Sequence, residues 1–204
     1  MKLKKHSKIL IGIVVAVLLL TGITAGYLQS YYHTDTQAVS AYQYKQNSDT
    51  KIQTKMLSDG SIVCEPENPA AGFIFYPGGK VETSAYEPLM QACAAQDILC
   101  VLVSMPFHLA VFDKNAADGI QEQYPQIDSW YIGGHSLGGA MAASYVSKHA
   151  DSFDGLILLG AYSTADISET ALRVLSVYGS EDGVLNAASM RKIRVICLKI
   201  LQKS

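Results

Sequence analysis

The sequence predicts an α/β fold, a mostly parallel sheet flanked by helices on both faces, preceded by one N-terminal transmembrane helix. Three observations carry that expectation. Short apolar runs such as 98–103 are near-continuous rather than alternating, as strands covered on both faces require. Stretches with apolar residues at helical spacing separate them, joined by short connections. A strand-like run at 130–132 ends in glycines and leads into a helix-like stretch at 140–149.

The N-terminus comes first. Lys2, Lys4, Lys5 and Lys8 form a basic leader over 1–8, ahead of an apolar run over 9–28. Roughly 20 residues at 1.5 Å rise cross a ~30 Å hydrocarbon core. Lysines before the run and few after it put the leader in the cytoplasm and the rest of the chain outside, at the cell membrane. The rival is a cleaved signal with its apolar core at 9–20 and a small-residue site at Thr24-Ala25-Gly26; it also exports the domain, as a secreted one. Residues 29–54 are polar with scattered tyrosines and read as a tether.

What remains is one medium domain over 55–189 and a basic, apolar tail over 190–204. A net charge of −2 with no internal basic patch excludes nucleic acid as a partner. Cys64, Cys93, Cys100 and Cys197 lack metal or redox spacing. Buried free thiols are expected, with a disulfide left open for an exported domain.

Along the domain, 51–56 and 62–64 read as two short strands around a turn at Ser58-Asp59-Gly60. Residues 72–76 form a buried strand followed by Pro77-Gly78-Gly79-Lys80. A phosphate-binding loop would need Gly at Ile74 and Ser or Thr at Val81, so nucleotide binding is set aside. The tetrad reads instead as an oxyanion loop, whose backbone N–H groups face a reacting carbonyl, or as an ordinary β-turn. A helix over 85–96, a strand over 98–103 ended by Met105-Pro106-Phe107, and a helix over 116–124 closed by Pro125 follow. Later strands are expected at 154–159, with Gly160-Ala161-Tyr162 shaping a pocket, and at 172–178.

Gly134-x-Ser136-x-Gly138 fits the nucleophile-elbow pattern G-x-S-x-G. A sharp strand-to-helix turn strains the central residue and lifts its side chain clear of the sheet, and a Cβ at the flanking positions would collide with neighbours. Ser136 would then be a nucleophile at a helix N-terminus, with Leu137 N–H beside it. The plainer alternative is a glycine-rich turn whose serine caps a helix. The loop Gly179-Ser180-Glu181-Asp182-Gly183 supplies an acid: Asp182 first, Glu181 second, against a mere turn aspartate.

Phe75-Tyr76-Pro77-Gly78-Gly79-Lys80-Val81, Met105-Pro106-Phe107, residues 133–139 and Tyr178-Gly179-Ser180-Glu181-Asp182-Gly183 together resemble the α/β-hydrolase superfamily. More narrowly, with the lysine-rich leader and Tyr-Tyr-His after the apolar run, the chain is similar to a bacterial group of membrane-anchored α/β hydrolases. The resemblance implies a serine esterase-like hydrolase acting on a small-molecule ester or similar acyl substrate, with neither cofactor nor metal. It implies Ser136 as nucleophile, Asp182 as acid, and Gly79 and Leu137 N–H as the oxyanion hole. It also implies a histidine after the acid, and the sequence holds none there. The tail does not look like the family's C-terminus; the expectation is a fold lacking its last strand and helix, through a frameshift, a premature stop or genuine variation. Of the five histidines, His6 and His33 flank the apolar run, His135 is the x of the elbow, and His149 ends the following helix. His108, after a strand end, is the one substitute base that geometry offers, against its being a plain loop or pocket residue. Weak or absent activity is expected, and a non-catalytic binding protein on the same fold is the alternative.

Overall fold

The computed structural model describes residues 5–40 and 52–179, so Asp182, Glu181 and the tail lie outside the described residues. The chain divides into an N-terminal unit, Met1–Tyr32, and a larger one, His33–Ser204. Helix α1 (Lys5–Gln29) fills the first. Its 23-residue stretch Ser7–Gln29 is long and apolar enough to cross a membrane, a property that a signal sequence shares.

The second unit is built on strands β1 (Ile52–Met56), β2 (Ile62–Pro66), β3 (Ala71–Tyr76), β4 (Ile98–Leu102), β5 (Trp130–His135), β6 (Gly155–Leu159) and β7 (Arg173–Val177), with helices α2 (Glu87–Ala94) and α3 (Leu137–Val146). They form one sheet in the order β1-β2-β4-β3-β5-β6-β7. β1 and β2 run antiparallel, while β4, β3, β5, β6 and β7 run parallel. The expected fold class is the observed one.

Alternation along β3 shows how the sheet takes cover on both faces. Phe73 and Phe75 enter one core cluster with Met90 and Ala94 of α2. Ile74 and Tyr76 enter the other with Ala142, Ala143 and Val146 of α3. The chain leaves β3 for β4 on one side and then passes to β5 on the other. That reversal falls at the carboxyl ends of β3 and β5, where open α/β sheets place their ligands.

The helix expected over 116–124 does not form. Residues 114–120 are turns, and only Gln121–Gln123 makes a 3-10 turn. Gly119 sits at φ +73°, outside the helical region. The segment is tied down instead by the buried Tyr76 hydroxyl, which donates to Lys114 O and accepts from Ala117 N–H, both at 2.9 Å. Asp118 accepts a bond of 2.8 Å from the Tyr145 hydroxyl of α3. Tertiary hydrogen bonds override helical spacing here. The helix after the elbow also begins earlier than expected, at Leu137 rather than Ala140.

Candidate active site

Ser136 stands at the junction of β5 and α3 with φ 50° and ψ −119°. A non-glycine residue in that region costs on the order of 1–3 kcal/mol and persists only where its surroundings impose it. They do so here. Ser136 N–H donates to Leu159 O of β6 at 2.9 Å, and its carbonyl accepts from Ala140 N–H of α3 at 3.1 Å. Gly138 packs so closely on β3 that an added Cβ would fall on the carbonyl oxygens of Tyr76 and Pro77. The chain can turn this sharply because those contacts are backbone to backbone.

The loop after β3 comes against the same junction. A Cβ on Gly79 would lie 2.9 Å from Leu137 Cδ2 and 3.6 Å from Leu109 Cδ2. The loop's amides are almost all engaged. Gly78 N–H donates to the Tyr86 hydroxyl at 3.0 Å, Lys80 N–H to His108 O at 2.7 Å, and Val81 N–H to Gly78 O at 3.3 Å. Gly79 N–H has no acceptor among the described residues, nor has Leu137 N–H at the first position of α3. Two unspent donors on touching residues beside an exposed-face serine form a place that suits a developing negative charge.

Tyr86, which the sequence reading passed over, organises this loop. Its hydroxyl lies 2.8 Å from His135 Nδ1, and its ring packs on Phe75 with centroids 5.2 Å apart. A hydroxyl that accepts the Gly78 N–H still has its own proton, which it gives to Nδ1 when the imidazole proton sits on Nε2. Burial raises the Tyr86 pKa, against the opposing Gly78 hydrogen bond, and so keeps the phenol protonated. His135 is thus turned toward Tyr86, in keeping with its position as the x of the elbow.

The remaining histidines separate by place. His149 Nδ1 is 2.9 Å from Tyr145 O, and its ring stacks on Tyr145 at 4.2 Å, at the far end of α3. His108 lies in the loop after β4 with its carbonyl bound to the Lys80 N–H of the loop after β3 and a left-handed backbone, φ 56°. Burial lowers the pKa of its imidazole; the nearby Glu82 opposes that, and Lys80 and His33 reinforce it. His33, which chain position alone puts beside the apolar run, comes within 3.7 Å of Glu82. The adjacent Thr34 explains why: its N–H donates to Glu82 at 2.8 Å and its hydroxyl lies 2.7 Å from Ser84 Oγ. The Thr34 N–H bond is also the chief cause of a lowered Glu82 pKa. No local sequence pattern could have foretold a contact spanning 48 residues.

Cys64, Cys93 and Cys100 are free thiols, and Cys197 lies outside the described residues.

Comparison with known proteins places this geometry. The model of the Alpha/beta hydrolase family matches residues 72–199. No curated protein matches the chain. Among solved structures, TT1662 from Thermus thermophilus superposes with a TM-score of 0.55 at 15% identity, over 73% of this chain and 84% of that one. A predicted CIB-like hydrolase from Thermoplasma acidophilum gives 0.52 at 17% identity, over 72% and 83%. MGS-M1, an alpha/beta hydrolase enzyme from a Medee basin deep-sea metagenome, gives 0.50 at 12%, over 74% and 77%. At these identities the structural likeness speaks for the fold, and the family match covers more than half of the sequence that carries the strained serine. The chain belongs to the alpha/beta hydrolase family.

Proposed function

We propose that the protein is a serine hydrolase acting on an ester or similar acyl substrate, with Ser136 as nucleophile. One observation carries the reading: a serine held at φ 50°, ψ −119° beside two amides, Gly79 N–H and Leu137 N–H, that have no acceptor among the described residues. Strain of that kind brings a cost to stability and gains nothing for packing, so it points to chemistry. In the proposed reaction Ser136 Oγ gives up its proton and attacks the acyl carbon, and the two amides stabilise the oxyanion. The bond to the alcohol breaks as the alcohol leaves with that proton, and water then cleaves the acyl–serine ester to free the acid and restore the serine hydroxyl. His108, whose neutral form burial favours, is the proposed proton acceptor. Asp182 is the proposed acid, and it lies outside the described residues.

A second reading, a non-catalytic binding protein, draws support from His135 and His149, whose ring nitrogens meet Tyr86 and Tyr145 rather than the serine. We further propose that α1 anchors the chain in the cell membrane with the hydrolase unit outside, on the strength of the lysines that precede it.

The test is hydrolysis of p-nitrophenyl acetate and labelling by a fluorophosphonate probe, for the full chain beside Ser136→Ala. Activity and labelling lost together in Ser136→Ala support the serine hydrolase. A folded protein that neither labels nor hydrolyses above the Ser136→Ala background supports the binding protein.

A further inference from the structure

We propose that the loop after β4 is an acyl-chain subsite: Phe107, Val111 and Phe112 form an apolar rim that receives the hydrocarbon chain of the substrate. The inference rests on the serine-hydrolase reading of Ser136 and names its substrate class, an ester whose acyl chain runs to several carbons.

Three independent features converge. Phe107, Val111 and Phe112 are 56%, 50% and 57% exposed. In residues 52–179, the other large apolar side chains exposed to that degree lie on the edge strands of the described sheet: Met56 on β1, Leu175 and Val177 on β7. The rim is therefore the one such group near the carboxyl ends of the central strands. Single apolar residues at a surface need no explanation, but a contiguous group does.

The second feature is how the rim is held out. Phe107 (φ 54°, ψ 23°) and His108 (φ 56°) are consecutive residues in the left-handed region. A bulky residue there is an outlier that needs a reason. The conformation is fixed on both sides: His108 N–H donates to Met105 O and Leu109 N–H to Pro106 O, each at 3.0 Å, while His108 O accepts the Lys80 amide at 2.7 Å. Phe107 meets Phe112 edge-on, with centroids 5.7 Å apart at 76°. Two rings braced against each other on a fixed backbone lose little freedom when a ligand arrives.

The third feature is continuity with the candidate active site. Leu109, between the rim residues in sequence, reaches the space beside Gly79, whose other neighbour is Leu137, next to Ser136. Residues Ala110–Phe112 pack against α3. From 105 to 112 the loop carries no residue that titrates except His108. A hydrocarbon chain matches such a surface, and a charged or sugar-like group does not.

The experiment uses the full chain in lipid nanodiscs and compares Phe107→Asn and Phe112→Ser with Met56→Ser as a surface control. Asparagine tolerates the left-handed backbone, so Phe107→Asn removes the ring and keeps the turn. Each methylene that finds cover raises kcat/KM by up to about fourfold, so wild type prefers the decanoate over the acetate p-nitrophenyl ester. Each rim variant should lower that preference roughly tenfold, and Met56→Ser should leave it alone. Unchanged preference in the rim variants, with Ser136-dependent hydrolysis intact, overturns the subsite and spares the hydrolase. If wild type hydrolyses nothing, the serine-hydrolase reading falls, and a diazirine-bearing decanoic acid still decides the rim. Photolabelling of residues 105–112 that excess decanoate suppresses supports the subsite. Labelling elsewhere, or labelling that decanoate leaves in place because lipid, a second copy or another segment of the chain covers the rim, overturns it.

Discussion

Tyr86 and His135 meet hydroxyl to imidazole, Oη to Nδ1 at 2.8 Å, and the same hydroxyl takes the amide proton of Gly78. The elbow's own histidine thereby steadies the loop that carries Gly79. Tyr86→Phe keeps the ring on Phe75 and removes the tether. We expect kcat to fall roughly 10- to 100-fold with KM little changed, because a donor displaced by a fraction of an ångström is felt mainly in the transition state. His135→Asn, which can offer an amide oxygen as acceptor, should retain more activity than His135→Leu. Wild-type kcat in Tyr86→Phe would dismiss the tether.

The strain at Ser136 has a stability side. Glycine adopts φ 50°, ψ −119° without the clash that serine meets there. Relief of about 1–3 kcal/mol exceeds the ~0.5–1 kcal/mol that glycine's extra unfolded-state freedom costs. Ser136→Gly should therefore raise the free energy of unfolding in urea by about 1 kcal/mol while abolishing activity. A less stable variant would mean that the serine is not strained.

Gly138→Ala should go the other way. Helix propensity alone favours alanine by ~1 kcal/mol at a position within α3. The new Cβ meets the carbonyl oxygens of Tyr76 and Pro77, however, and neither can move without disturbing β3 and its loop. Overpacking of this kind costs about 1–3 kcal/mol or more, so we expect a net loss of about 1 kcal/mol or more. A melting temperature at or above that of wild type would contradict the close approach.

The thiols give a check that is independent of catalysis. A hydrogen bond with Cys100 brings the Cys93 thiol down to about 7, against the opposing effect of burial, while burial pushes Cys64 up to about 11. Cys100 is raised, first by its bond with Cys93 and then by burial. Since the thiolate is the species that alkylates, iodoacetamide should modify Cys93 with a half-maximal rate near pH 7. Cys64 and Cys100 should resist until the protein unfolds. Peptide mapping that finds Cys64 modified as readily as Cys93 would refute this packing.

How much of this was legible beforehand follows from what kind of cause lies behind each feature. The strands were, because a continuous apolar run such as 98–103 has few other uses in a globular chain. The elbow was, because its glycine spacing is written in one short stretch, even though the backbone that those glycines meet, at Tyr76 and Pro77, comes from β3 and its loop. The segment 116–124 was not: its spacing is helical, and its structure is decided by the hydroxyls of Tyr76 and Tyr145 from distant elements. Tyr86 and His33 were missed for the same reason, since their partners, His135 at the end of β5 and Glu82 in the loop after β3, are distant in sequence.

In the reaction proposed above, His108 takes the serine proton. To accept the Ser136 proton its imidazole must be neutral, so activity must rise as pH rises through its pKa and then level off. Burial holds that pKa below the usual value of 6.5, and the charge of Glu82 is the opposing, smaller influence. The acid limb of kcat/KM should therefore have its midpoint below 6.5. Glu82→Gln removes the charge that favours the imidazolium, so it should move the midpoint further toward acid. His108→Gln should lower the rate by roughly 10³-fold or more, as loss of a catalytic base does elsewhere. These three results stand or fall together. An acid limb that ignores Glu82→Gln, with His108→Gln near wild-type activity, would assign proton acceptance to another group and leave His108 as a brace of the rim.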